Sequence, residues 1–252
     1  MPLSIQYSKI QSYVAECACS FIFGFTVYSA ILTTTLKNMV AGPILVGLSI
    51  GFVSIVIIFL FVDVTLAHFN PAITFAAIVF RRIPIISGFF YIIAQGIGFM
   101  IASLVVQGCF PGKFEPLMNI IRPKRVNDST TGEMICIEMF LTGILVFSVF
   151  VMAINPYKKQ KDERDQRELH IDPSESKIPD RSRFAPIVIG LTLGFLGYLG
   201  GSTSGGAFNP GIVWAPVLFS GHWGDSWKYW VGEFVGGCVG AFIQIILFYP
   251  FY

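Results

Sequence analysis

His68-Phe69-Asn70-Pro71-Ala72 and Ala207-Phe208-Asn209-Pro210-Gly211 are two versions of one phrase, each set in an otherwise apolar stretch. Each reads as a helix start. Asn is favoured at the capping position, and Pro suits the first helical position, where an N–H would have no partner. The apolar run behind each start is short, Asn70 to Phe80 and Asn209 to Phe219. At 1.5 Å per residue such a run spans about 16 Å, roughly half of a ~30 Å hydrocarbon core. Two half-length helices in matched places point to a duplicated membrane protein.

Of 252 residues, 54% are hydrophobic and 13% charged, against about 25% charged in an ordinary soluble domain. The apolar residues fall into blocks of membrane-spanning length near Val14–Leu32, Ile44–Val62, Ile85–Val106, Met134–Ile154, Phe184–Gly200 and Tyr229–Tyr249. The first block is expected to remain as a span rather than to be cleaved. The expected fold is therefore all-α, a single channel domain over 1–252 with six transmembrane helices and two re-entrant half-helices in the lipid bilayer.

Landmarks repeat across the two halves, about 1–120 and 121–252. Asn70 precedes Gln95 by 25 residues and Asn209 precedes Glu233 by 24. Glu16 precedes Asn70 by 54 and Glu138 precedes Asn209 by 71, the excess lying in a polar insert over 155–183. Three spans per half is odd, so the second half enters the membrane inverted, the arrangement of transport proteins with broken helices meeting near the midplane. The insert is rich in charge and Pro and is expected to be a solvated cytoplasmic loop, with Ser174, Ser176 and Ser182 available for phosphorylation.

The net charge of +2 is too small to indicate nucleic acid. Its distribution orients the chain. Lys9, Arg81, Arg82 and eight Lys/Arg between Lys158 and Arg183 fall on one side; Lys37, Lys113, Arg122, Lys124, Arg125 and Lys228 fall on the other. Eleven against six puts both termini in the cytoplasm, with the plasma membrane the expected location. Five Cys at 17, 19, 109, 136 and 238 have no metal-ligand spacing and read as small packing residues. No metal, cofactor or enzyme activity is expected.

Half-helices entering from opposite faces meet at their N-termini. Each Asn then caps its own helix through its carbonyl oxygen and keeps its NH₂ free to donate into a lumen. Two donors backed by two positive helix ends favour a neutral acceptor and oppose cations. A water held by Asn70 and Asn209 is poorly oriented to relay a proton.

With these features the chain resembles the aquaporin (major intrinsic protein) family, and half-helix dipoles are the known selectivity device of aquaporin-type pores. The resemblance implies a passive channel for water and small uncharged solutes such as glycerol, assembled as a homotetramer. It makes Asn70-Pro71-Ala72 and Asn209-Pro210-Gly211 the pore motifs. Glu16 and Glu138 would hold the loops before the half-helices, and His68 would anchor a loop or line the pore mouth. Ion- or proton-coupled secondary transport is the alternative, with Glu16, Glu138, Glu233 and Asp63 as its candidate groups.

Two departures stand out. Gly211 replaces the family's second Ala and is expected to adjust how closely the half-helices touch. Ile212 stands where most members carry an Arg that forms a selectivity constriction. By spacing, its companions are Ile50, Gly197 and Gly206, giving an uncharged constriction that two glycines widen and two Ile make greasy.

Overall fold

The computed structural model describes residues 3–154 and 181–248. In chain order they form α1 (Leu3–Leu36), α2 (Gly42–Phe61), α3 (Pro71–Val79), α4 (Ile85–Cys109), α5 (Phe114–Ile121), α6 (Thr131–Val149), α7 (Ala185–Leu199), α8 (Pro210–Ser220) and α9 (Ser226–Phe248). A π-helical turn, Phe150–Ile154, extends α6, and a 3-10 turn, Arg181–Phe184, leads into α7. α1, α2, α4, α6, α9 and α7 with its flanking 3-10 turns (Ser182–Ser202) are long and apolar enough to cross a membrane. With the π-helical turn counted into α6, the helical ends lie within three residues of the expected spans except at α1, which starts before Val14 and runs on to Leu36. Ser174, Ser176 and most of the 155–183 insert lie outside the described residues.

Between the third and fourth expected spans, where the sequence has no block of membrane-spanning length, lies α5. Its eight residues carry Pro116 in the first turn, where Pro is tolerated. Leu117, Met118 and Ile121 are buried by the neighbouring α1, α4 and α8. Burial in tertiary contacts, rather than a long apolar period, makes this helix.

The long helices associate as α1 with α4, α6 with α9, and α2 with α7. Lipid supplies no hydrophobic drive between helices, so close backbone approach carries the packing. A Cβ on Gly98 of α4 would lie 2.3 Å from the Cys17 carbonyl oxygen of α1. One on Gly236 of α9 would lie 2.1 Å from the Met139 carbonyl oxygen of α6, and one on Gly47 of α2 would lie 2.7 Å from that of Gly194 in α7. Large apolar side chains such as Phe52, Phe59, Phe89, Phe140, Leu191 and Phe242 face outward, as a lipid-facing belt does. Cys19 is buried, but Cys109 and Cys136 are exposed, so those two are not packing residues as expected.

Candidate functional site

The Asn-Pro phrases start α3 and α8 with Pro at the first position. Asn70 Oδ1 accepts from Ala72 N at 2.9 Å, and Asn209 Oδ1 accepts from Gly211 N at 3.0 Å. The amides are not wholly free for a lumen. Asn70 Nδ2 donates to the Phe208 carbonyl at 2.8 Å, and Asn209 Nδ2 donates to that of Phe69 at 2.9 Å. Each amide keeps one further N–H. The half-helices are thus tied N-terminus to N-terminus by a reciprocal pair of hydrogen bonds.

Phe69 and Phe208 are strained. Their φ values are 32° and 34°, a left-handed backbone that a bulky side chain rarely adopts. Such conformations persist only where the surroundings over-determine them. Each Phe has its carbonyl held by the opposite Asn and its N–H held by a buried carboxylate. Phe69 N donates to Glu16 Oε1 at 2.5 Å and Phe208 N donates to Glu138 Oε2 at 2.7 Å. Both rings are buried, and Phe69 meets Phe23 with centroids 5.1 Å apart.

Glu16 also accepts from Thr65 Oγ1 at 2.7 Å and Gln95 Nε2 at 2.8 Å. Glu138 accepts from Ser204 Oγ at 2.5 Å and Ala207 N at 3.0 Å. A buried carboxylate needs such donors to offset its lost hydration, and the loop backbones supply them. Glu233 Oε1 accepts from Asn209 N at 2.9 Å, while its Oε2 is buried without a partner. In the sequence Gln95 is a landmark only, and Glu233 is a landmark and a candidate transport group. Their matched distance from the Asn residues was the signal that both act on these loops. His68 is buried, with Nδ1 3.1 Å from Thr74 Oγ1 and Nε2 unpartnered.

Gly211 does not set the half-helix contact. A Cβ there would lie 2.2 Å from two atoms of the Phe99 ring in α4. A Cβ on Gly24 would meet the same ring at 2.8 Å. Phe99 therefore fills the space between α1 and the first turn of α8 that two missing side chains leave.

Ile50, Gly197, Gly206 and Ile212 line one cavity of about 400 Å³. Its exposed lining includes Asn38, at the α1–α2 connection, and Lys124, in the segment after α5, beside the half-buried Arg122. Neither glycine acts simply by widening. A Cβ on Gly197 would lie 2.7 Å from Ile50 Cδ1, so Ile50 occupies that room. Gly206 has φ +66°, and a Cβ there would approach the Gly197 carbonyl oxygen at 3.3 Å. The Ile212 carbonyl is oriented by Tyr28, whose buried hydroxyl donates to it at 3.1 Å.

Residues 4–244 match the family model described as Major intrinsic protein. An "Aquaporin" of Vairimorpha ceranae is 46% identical over 245 residues, 97% of each chain. One from Encephalitozoon hellem is 44% identical over 96% of this chain and 95% of its own. "Aquaporin-B" of Dictyostelium discoideum is 35% identical over 93% of this chain and 82% of its own. The solved aquaglyceroporin of Plasmodium falciparum superposes with a TM-score of 0.73 over 95% of both chains, at 18% identity. The chain is an integral, multi-pass membrane protein that belongs to the major intrinsic protein family.

Proposed function

We propose that the chain is a passive channel for water and small uncharged solutes such as glycerol, with its path running past Asn70 and Asn209 and through the cavity beside Ile50 and Ile212. The observation that carries this reading is the head-to-head junction of α3 and α8. It gathers two positive helix ends and two partly free amide donors at one point. A solute oxygen can accept there, whereas a cation meets a repulsive field. Pro71-Ala72 and Pro210-Gly211 complete the two helix starts, and Glu16 and Glu138 hold the loops that present them.

The same reading places both termini in the cytoplasm and the protein in the plasma membrane, with four copies assembling. The eleven-to-six distribution of Lys and Arg supports the orientation. Among the described residues, secondary transport has no supporting feature. Glu16 and Glu138 are committed to loop donors, and Asp63 is exposed at the end of α2.

The test is osmotic. Vesicles containing the purified chain should shrink under a sucrose step at least tenfold faster than empty vesicles. Replacing Asn70 and Asn209 together with Leu should abolish the difference. Parent vesicles no faster than empty ones would overturn the channel reading.

A further inference from the structure

The cavity above Ile212 has a charged rim. Arg122 and Lys124 both line it, and no lining residue is acidic. The acidic group nearby is already engaged: Asp225 pairs with Lys228 and lies 3.9 Å from Arg125. Lys228 holds the Asp225 carboxyl below its usual range, with Arg125 and Arg122 acting at longer reach. Among the described residues, no ion pair neutralises Arg122 or Lys124. Arg122 Nε is buried without a hydrogen-bond partner.

This rim is fixed in place. Arg122 caps α5, donating its N–H to the Met118 carbonyl at 3.0 Å, beside the buried Ile121. Two residues beyond Lys124, Val126 N donates to the Thr203 carbonyl at 3.0 Å, and Asn127 Nδ2 donates to that of Ser202 at 3.1 Å. The segment from Arg122 to Asn127 is thereby stitched onto the loop that contains Gly205 and Gly206. Guanidinium and ammonium groups on such a segment present a standing positive potential at the cavity mouth. A low-dielectric funnel focuses that potential on anything entering.

We propose that Arg122, with Lys124, is a specificity-determining residue that repels cations at the mouth of the path, supplying there the positive charge that Ile212 does not supply at the constriction. The inference rests on the channel reading. It moves the outer electrostatic barrier from the narrowest point to the rim. The constriction is left apolar, open to the CH groups of a polyol, and the charge stays where a solute is still hydrated.

The experiment compares parent, R122Q/K124Q, the conservative R122K/K124R and R122Q/K124Q/I212R in proteoliposomes, measuring water flux and K⁺ flux in parallel. R122Q/K124Q should keep water permeability within twofold of the parent and raise K⁺ flux at least tenfold at 10 mM salt. R122K/K124R should match the parent, and I212R should restore exclusion. The gap should narrow at 1 M salt, where the Debye length falls to about 3 Å from about 30 Å at 0.01 M. Unchanged K⁺ exclusion in R122Q/K124Q with water flux intact would overturn the inference and leave the barrier to Asn70 and Asn209. Loss of water flux in R122Q/K124Q alone would also overturn it, assigning Arg122 to loop scaffolding. Absence of water flux in the parent would instead remove the channel reading itself.

Discussion

Asn70 and Asn209 lie 139 positions apart in the chain, yet each donates its side-chain amide to the carbonyl of the residue just before the other. The same side chain caps its own helix through oxygen and ties the opposite loop through nitrogen. Only Asn, with an acceptor and two donors on one short stem, performs both tasks and keeps an N–H over.

Asn209→Asp separates these tasks. The carboxylate still accepts from Gly211 N, so the cap survives, but it faces the Phe69 carbonyl as a second acceptor. Losing that hydrogen bond and opposing two buried acceptors should cost about 1–3 kcal/mol. A negative charge also replaces a donor at the point that should repel cations. Expected outcomes are a lower thermal midpoint in detergent, a water permeability reduced at least fivefold, and a measurable K⁺ leak. Parent-like values for all three would separate the amide from the function of the junction.

Glu138 and Glu233 should respond differently to the same change. Two backbone N–H groups and the Ser204 hydroxyl converge on Glu138, using both oxygens. In Glu138→Gln the amide NH₂ must face a donor, leaving a buried N–H unsatisfied at about 1–3 kcal/mol. Glu233 uses only Oε1, for Asn209 N, and its other oxygen has no partner. Glu233→Gln keeps the one hydrogen bond through its amide oxygen; the first repeat already carries Gln95 at the matched place. Thermal midpoints should fall for E138Q and hold or rise for E233Q. Equal losses in both would contradict the donor count.

Much of this arrangement is legible in the chain. The Asn-Pro phrases name the first residue of both half-helices, since capping and a fixed Pro φ are local effects. The apolar blocks give the spans because lipid imposes length. What is not legible depends on distant partners. Phe69 and Phe208 are poor candidates for a left-handed backbone, and nothing local reveals that a carboxylate and an Asn from elsewhere hold them there. α5 is too short to show a period. Gly211 reads as a spacer between half-helices until Phe99, 112 positions away, is seen against it.

That contact makes a testable pair. Gly211→Ala raises intrinsic helix propensity, which alone would stabilise α8 by up to about 1 kcal/mol. The added methyl, however, meets the Phe99 ring at 2.2 Å, and overpacking a filled site typically costs about 1–3 kcal/mol. The net effect should be destabilising. Phe99→Leu alone should also destabilise, by opening a cavity beside Gly24. Combined, F99L/G211A should be more stable than the sum of the two single losses predicts, with a coupling of about 1 kcal/mol or more. Additive losses in thermal unfolding would show that α8 shifts to absorb the methyl.

Ile212→Arg tests the constriction. Tyr28 fixes the Ile212 carbonyl, so the backbone should hold while the side chain changes from apolar to cationic inside a cavity of about 400 Å³. A guanidinium there offers water several donors, which compensate for lost hydration. It also narrows the passage opposite Ile50 and replaces the apolar wall that a polyol's CH groups require. Glycerol permeability, measured by swelling of vesicles in a glycerol gradient, should fall at least fivefold, and water permeability less than twofold. If the ratio of the two permeabilities stays that of the parent, position 212 does not lie on the path. The discrimination between glycerol and water would then have to come from another part of the path, such as the junction at Asn70 and Asn209.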